Sequence, residues 1–193
     1  MDTKRAVILH GTDGDPDDIW FPWLRGELES VDYEVYAPLL PNNHRPDFQI
    51  YEDFLQRSGW DFSDNLLVGY SSGATTILNL LTTDWFPPVK TVVLVGTFLN
   101  EKLTKHADWV EEGQFDKLFV RSFVPILLKN RAQHFYFVHG DNDPYCDIDD
   151  AKRLCYDLNG QFITVHNGHH LGDSSGMLNL PQLTDKLRAD KVL

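Results

Sequence analysis

A chain of 193 residues, 42% hydrophobic and 24% charged, has the length and composition of one soluble globular domain with a full core, so a single domain over 1–193 is expected. Its formal net charge of −12 argues against nucleic acid and anionic membrane surfaces as partners, because both need a basic footprint. No apolar run approaches the roughly 18–20 residues of a membrane span, and Met1-Asp2-Thr3-Lys4-Arg5 passes straight into a short strand without a signal-peptide core. A cytoplasmic location is therefore expected. Cys146 and Cys155 lack C-x-x-C spacing and read as small, half-buried apolar residues in a reducing compartment.

The first predicted strand is the unbroken apolar run Ala6-Val7-Ile8-Leu9, which fits a central strand buried on both faces. It ends in the glycine-containing loop His10-Gly11-Thr12-Asp13-Gly14-Asp15-Pro16, after which Asp15 or Asp17 is placed to cap a helix from Asp18 to about Ser30. Trp20, Phe21, Trp23, Leu24 and Leu28 give that helix a broad apolar face, and Pro22 falls in its first turns. Tyr33 to Ala37 is a second short strand. Pro38 to Phe48 is a loop, and Ile50 to Ser58 is helical, with Tyr51, Phe54 and Leu55 on one side.

Leu66-Leu67-Val68 is the third strand. It runs into Gly69-Tyr70-Ser71-Ser72-Gly73 and then a helical stretch that ends near Asp84. Strand, sharp turn and helix, with a serine at the apex and glycine at both flanks, form the G-x-S-x-G nucleophile elbow. The glycines are needed because a side chain at either position would collide where the helix crosses back. Thr91 to Gly96 is the fourth strand. Residues 98–133 are too long for one crossover helix and read as a crossover plus a small lid, with Trp109, Phe115, Phe119 and Phe123 available to the pocket. His134 to Val138 is the fifth strand, Asp147 caps a helix to about Leu158, Gln161 to Val165 is the sixth strand, and a last helix covers about Pro181 to Lys191. Such alternation predicts an α/β fold with a doubly wound, mostly parallel six-stranded sheet of order 2-1-3-4-5-6 and helices on both faces. The ligand site then lies where the loop after strand 1 and the elbow emerge side by side.

A serine hydroxyl needs a base to take its proton, and the base needs a third group to fix its tautomer. The turn after strand 5, His139-Gly140-Asp141-Asn142-Asp143-Pro144-Tyr145, offers Asp143 in preference to Asp141. The loop after strand 6, His166-Asn167-Gly168-His169-His170-Leu171-Gly172-Asp173, offers His169, with His170 as the alternative, because Gly168 permits close backbone approach. Ser72 N–H and, from the loop after strand 1, Thr12 N–H are the candidate oxyanion donors. His10, His139 and His166 stand at strand ends and read as loop hydrogen-bonding residues. A metal site built from His139, Asp141, His169, His170 and Asp173 is disfavoured, since no H-x-H or H-x-x-x-H spacing supports it. No metal and no cofactor are expected. Aspartates crowd the loops after strands 1, 5 and 6, so the mouth of the site should carry a negative potential.

The blocks His10-Gly11-Thr12-Asp13-Gly14, Trp20-Phe21-Pro22-Trp23-Leu24, Gly69-Tyr70-Ser71-Ser72-Gly73-Ala74, Gly140 through Pro144 and Gly168-His169 follow one another as in the α/β-hydrolase superfamily. The chain most resembles its small YdeN-like branch, which includes retinoblastoma-binding protein 9. The resemblance implies a compact α/β-hydrolase without the two leading antiparallel strands and puts Ser71, Asp143 and His169 on the triad positions. The expected activity is hydrolysis of a small ester, thioester or amide through an acyl-enzyme on Ser71. The competing expectation is a ligand- or protein-binding module on a hydrolase scaffold with little turnover.

Overall fold

The computed structural model describes residues 3–102, 104, 107–172 and 175–193; Asp173, named above for the mouth of the site, lies outside them. Six parallel strands form one sheet in the order β2-β1-β3-β4-β5-β6. In chain order these are β1 (Lys4–Leu9), β2 (Tyr33–Tyr36), β3 (Leu66–Tyr70), β4 (Val89–Val95), β5 (Ala132–Gly140) and β6 (Gln161–Val165). The helices are α1 (Phe21–Glu29), α2 (Phe48–Gln56), α3 (Ser72–Leu80), α4 (Pro125–Leu128), α5 (Ile148–Asp157) and α6 (Pro181–Ala189). Topology and order agree with the sequence expectation.

Two core layers explain the continuous apolar runs. Val7, Leu9, Leu67, Val92, Leu94, Phe135 and Phe137 face one side, where α2, α3 and α5 supply Tyr51, Leu55, Ile77, Leu78 and Leu154. Their neighbours Ala6, Ile8, Leu66, Val68, Val93, Val95, Tyr136 and Val138 face the other, against Phe21, Leu24 and Leu28 of α1 and Leu183 and Leu187 of α6. Successive side chains in a strand point to opposite faces, so a strand covered on both must be apolar throughout.

Three local expectations are corrected. First, α1 begins at Phe21 and has no side-chain cap. Asp15 and Asp18 bond instead within the preceding turn, Asp15 Oδ1 accepting from Asp17 N–H and Asp18 Oδ2 from Asp15 N–H. Second, α2 starts at Phe48 because Asp47, read as loop, caps it by accepting the N–H groups of Gln49 and Ile50. Third, the described residues between β4 and β5 hold one short helix, α4, rather than a crossover helix. This stretch is held by packing and by bonds to α3. Phe98, Phe115 and Leu118 form a small cluster with Cys146, Thr75 Oγ1 donates to Phe98 O, and Asn79 Nδ2 donates to Leu118 O. Among the described residues no helix is long and apolar enough to cross a membrane.

Candidate active site

β3 ends at Tyr70 and α3 begins at Ser72, leaving Ser71 alone at the bend with φ 54° and ψ −121°. A non-glycine residue rarely takes that backbone conformation, and surrounding structure must hold it there. Ser71 N–H donates to Val95 O at 2.9 Å, and Ser71 O accepts from Ala74 and Thr75. The flanking glycines are required by close approach. A Cβ on Gly69 would lie 2.6 Å from Ala74 Cα, within the helix as expected. A Cβ on Gly73 would lie 2.3 Å from Leu9 O, so this glycine serves the contact of α3 with the end of β1.

His170 Nε2 stands 3.0 Å from Ser71 Oγ, and His170 Nδ1 stands 2.9 Å from Asp143 Oδ2. A carboxylate can only accept, so the ring donates Nδ1–H to Asp143, which leaves Nε2 facing the serine hydroxyl. Asp143 has a fully buried side chain, and its Oδ1 accepts the N–H groups of Tyr145 and Cys146. Burial pushes its carboxyl up, but the His170 bond and charge and the Tyr145 N–H outweigh this and hold it below the usual carboxylate range. Of the two aspartates weighed, Asp143 is the one brought to the serine's histidine. Asp141 is engaged by His166 Nδ1 at 2.7 Å on the rim.

The structure brings His170, rather than the expected His169, to Ser71. His169 is exposed, and its N–H donates to Asn142 Oδ1 at 2.8 Å. Its backbone lies against Gly140, where a Cβ would come within 2.1 Å of His169 O. The close approach permitted by glycine thus brings in the backbone of His169 and sends the next side chain to the site. Gly168 could not reveal this. The loop alternates through positive φ at Asn167, His169 and Leu171, a path without a sequence signature.

The expected oxyanion donors lie together. Thr12 Oγ1 donates to Ser72 Oγ at 3.0 Å, tying the loop after β1 to the start of α3. Ser72 opens α3, where a backbone N–H has no acceptor one turn earlier and the helix dipole favours negative charge. His10 fixes that loop: Nδ1 bonds Gly11 O at 2.8 Å, and Nε2 accepts Leu40 N–H at 2.8 Å. Trp20, which the sequence places on an apolar helix face and in a block shared with α/β-hydrolases, has a further role. It is fully buried, and its indole N–H donates to Leu171 O at 2.8 Å, which pins the residue after His170.

A cavity of about 430 Å³ opens over Ser71 and His170, walled by Thr12, Asp13, Asp18, Phe21, Trp109 and Tyr145 among others. Of the lid aromatics only Trp109 borders it; Phe115 is buried in the small cluster, Phe119 packs on that cluster, and Phe123 packs on the main core. His139, Asp143 and Cys146 bring ligand-type atoms within 4.8 Å of one another. Both Asp143 oxygens are already bonded, and burial, with the Asp143 charge, pushes the Cys146 thiol well up, so it stays protonated. This group backs the His170–Asp143 pair.

Residues 6–189 match the family described as serine hydrolase. YdeN of Bacillus subtilis (strain 168) is 24% identical over 188 residues, covering 96% of this chain and 95% of its own. The crystal structure of the B. subtilis ydeN product superposes with a TM-score of 0.85 at 23% identity, covering 97% of this chain and 98% of that one. A carboxylesterase structure from Nitrososphaera gargenis gives 0.73 at 13% identity, with 98% and 90% covered. Ferulic-acid-bound Est1E from Butyrivibrio proteoclasticus gives 0.71 at 13% identity, with 98% and 88% covered.

Proposed function

Because the chain belongs to the serine hydrolase family, in its YdeN-like α/β-hydrolase branch, we propose that Ser71, His170 and Asp143 are its catalytic triad and that it cleaves a small carboxylic ester, thioester or amide. The observation that carries this reading is the unbroken relay of 3.0 Å and 2.9 Å from Ser71 Oγ through His170 to a buried carboxylate.

Ser71 Oγ attacks the carbonyl carbon while His170 Nε2 takes its proton. The carbonyl π electrons move to oxygen, whose charge is met by Ser72 N–H, by the dipole of α3 and by Thr12 N–H. Collapse re-forms the carbonyl and breaks the bond to the leaving group, which receives the proton from His170. Water then repeats the sequence on the acyl-enzyme and releases the acid and Ser71. Asp143 keeps its charge and holds the imidazolium.

The test is labelling of the full chain by a fluorophosphonate, together with kcat for p-nitrophenyl acetate. Ser71→Ala should abolish labelling and lower kcat by about 10⁴-fold or more. His170→Ala should do nearly the same, while His169→Ala should stay within about threefold of the parent. An inert His169→Ala beside an active His170→Ala would restore His169 as the base. A wild-type chain that neither labels nor turns over would favour the binding-module reading.

A further inference from the structure

The wall of the cavity over Ser71 has an unusual chemical balance. Among the described residues of the wall four are aromatic (Phe21, Tyr70, Trp109 and Tyr145), two are carboxylates (Asp13 and Asp18), and none is lysine or arginine. Three of the rings are in contact with His170 or with one another. Tyr145 meets His170 edge-on at 5.2 Å, and Trp109 meets Tyr145 edge-on at 5.4 Å. Tyr70 lies 5.3 Å from the His170 ring, tilted by 45°.

Three cationic side chains among the described residues are engaged elsewhere. Arg25 is held by Pro16 O and Asp17, Arg45 by Glu111, and Lys102 by Asp147. Asp13 shares its charge with His44, whose Nδ1 lies 2.9 Å away. Asp18 is different: half-buried, it accepts the Asp15 N–H at 2.8 Å and makes no ion pair among the described residues. A ligand reaching Ser71 therefore meets aromatic side chains and one carboxylate that has no ion-pair partner among the described residues.

Aromatic faces carry negative potential and attract cations, most strongly where water is partly excluded, and a carboxylate adds to that attraction. A carboxylate-bearing substrate would meet repulsion that no lysine or arginine of the described cavity wall offsets. We propose that the cavity selects acyl substrates bearing a positive charge, a primary or quaternary ammonium a few bonds from the scissile carbonyl, with Asp18 and Trp109 as the specificity-determining residues. This rests on the serine hydrolase reading for its chemistry, but cation binding itself requires no turnover.

The experiment has a kinetic and a binding arm, both on the full chain at low salt. In the first, S-acetylthiocholine is compared with S-(3,3-dimethylbutyl) thioacetate, which has the same shape without the charge, by following thiol release. Intrinsic reactivity differs between the two, so the readout is the change in their kcat/KM ratio between parent and variant. Asp18→Asn and Trp109→Ala should each lower the ratio by about fivefold to tenfold, and raising salt should lower that of the parent. A ratio unmoved in both variants overturns the proposal. In the second arm, choline is compared with 3,3-dimethylbutanol by calorimetric titration. Preference for choline that is lost in Asp18→Asn supports the proposal even if no thioester is cleaved, a result that would sink only the hydrolase reading. Equal binding of the two, or none of either, overturns the proposal even if both thioesters are cleaved.

Discussion

At the scale of the residue, His139 has an unusual setting. It is fully buried at the end of β5, its ring lies 5.5 Å from that of Phe162 at 12°, and neither ring nitrogen has a hydrogen-bond partner among the described residues. Burial, with smaller contributions of both signs from Asp143, His170 and Lys152, lowers its pKa from 6.5 to about 4. The unfolded chain binds this proton below about pH 6.5 and the folded one only below about 4, so between those values the unfolded state holds more protons. Stability is thus complete above about pH 6.5, falls as pH drops toward 4, and loses nothing further to this group below that. The loss is on the order of 3 kcal/mol. His139→Phe, which can keep the stack, should flatten the acid limb of urea-denaturation stability across this window by a similar amount. An unchanged limb would mean that the ring takes up a proton in place. Neighbouring histidines thus have separate duties, which sequence conveyed unevenly. The residue type and loop of the histidine beside Ser71 could be read, but the choice between His169 and His170 depended on which backbone atom touches Gly140.

Among the elements, the strands were legible because burial on both faces leaves a continuous apolar run, and α5 was legible through its Asp147 cap. The span between β4 and β5 was not, because it is ordered by contacts distant in sequence: Phe98 and Leu118 carbonyls on α3, and Phe115 against Phe98 at 5.1 Å. Its aromatics separate by exposure. Phe115 is 0% exposed and Trp109 is 43% exposed. Phe115→Ala should cost about 3–5 kcal/mol in chemical denaturation. Trp109→Ala should change stability by about 1 kcal/mol or less while altering KM. A large stability loss in Trp109→Ala would make it a packing residue after all. The elbow makes a sharper demand: with Leu9 O at 2.3 Å, Gly73→Ala would have to push α3 off β1. That variant should fail to give folded protein, judged by near-ultraviolet circular dichroism. A folded Gly73→Ala would show that the contact yields.

On the scale of the whole molecule, the described chain exposes 9194 Å², close to the roughly 9400 Å² expected of a folded monomer of its mass. Two-sided burial thus closes both core layers within the chain, and the carboxyl ends of β1, β3, β5 and β6 bring distant residues to one edge. The 99 positions between Ser71 and His170 then acquire a meaning in time. A ribosome adding about 5–20 residues per second releases the serine roughly 5–20 s before the histidine exists. β1, β3 and α3 can assemble around Ser71 during that interval, yet a hydroxyl without its base is almost inert. A chain stopped at Leu158 should therefore remain dark toward the fluorophosphonate that marks the full chain; labelling of the shortened one would mean that another group can activate the serine. On the proposed triad, vectorial synthesis would keep Ser71 silent beside its own unfinished polypeptide, and a chain terminated before His170 would be an unreactive fragment.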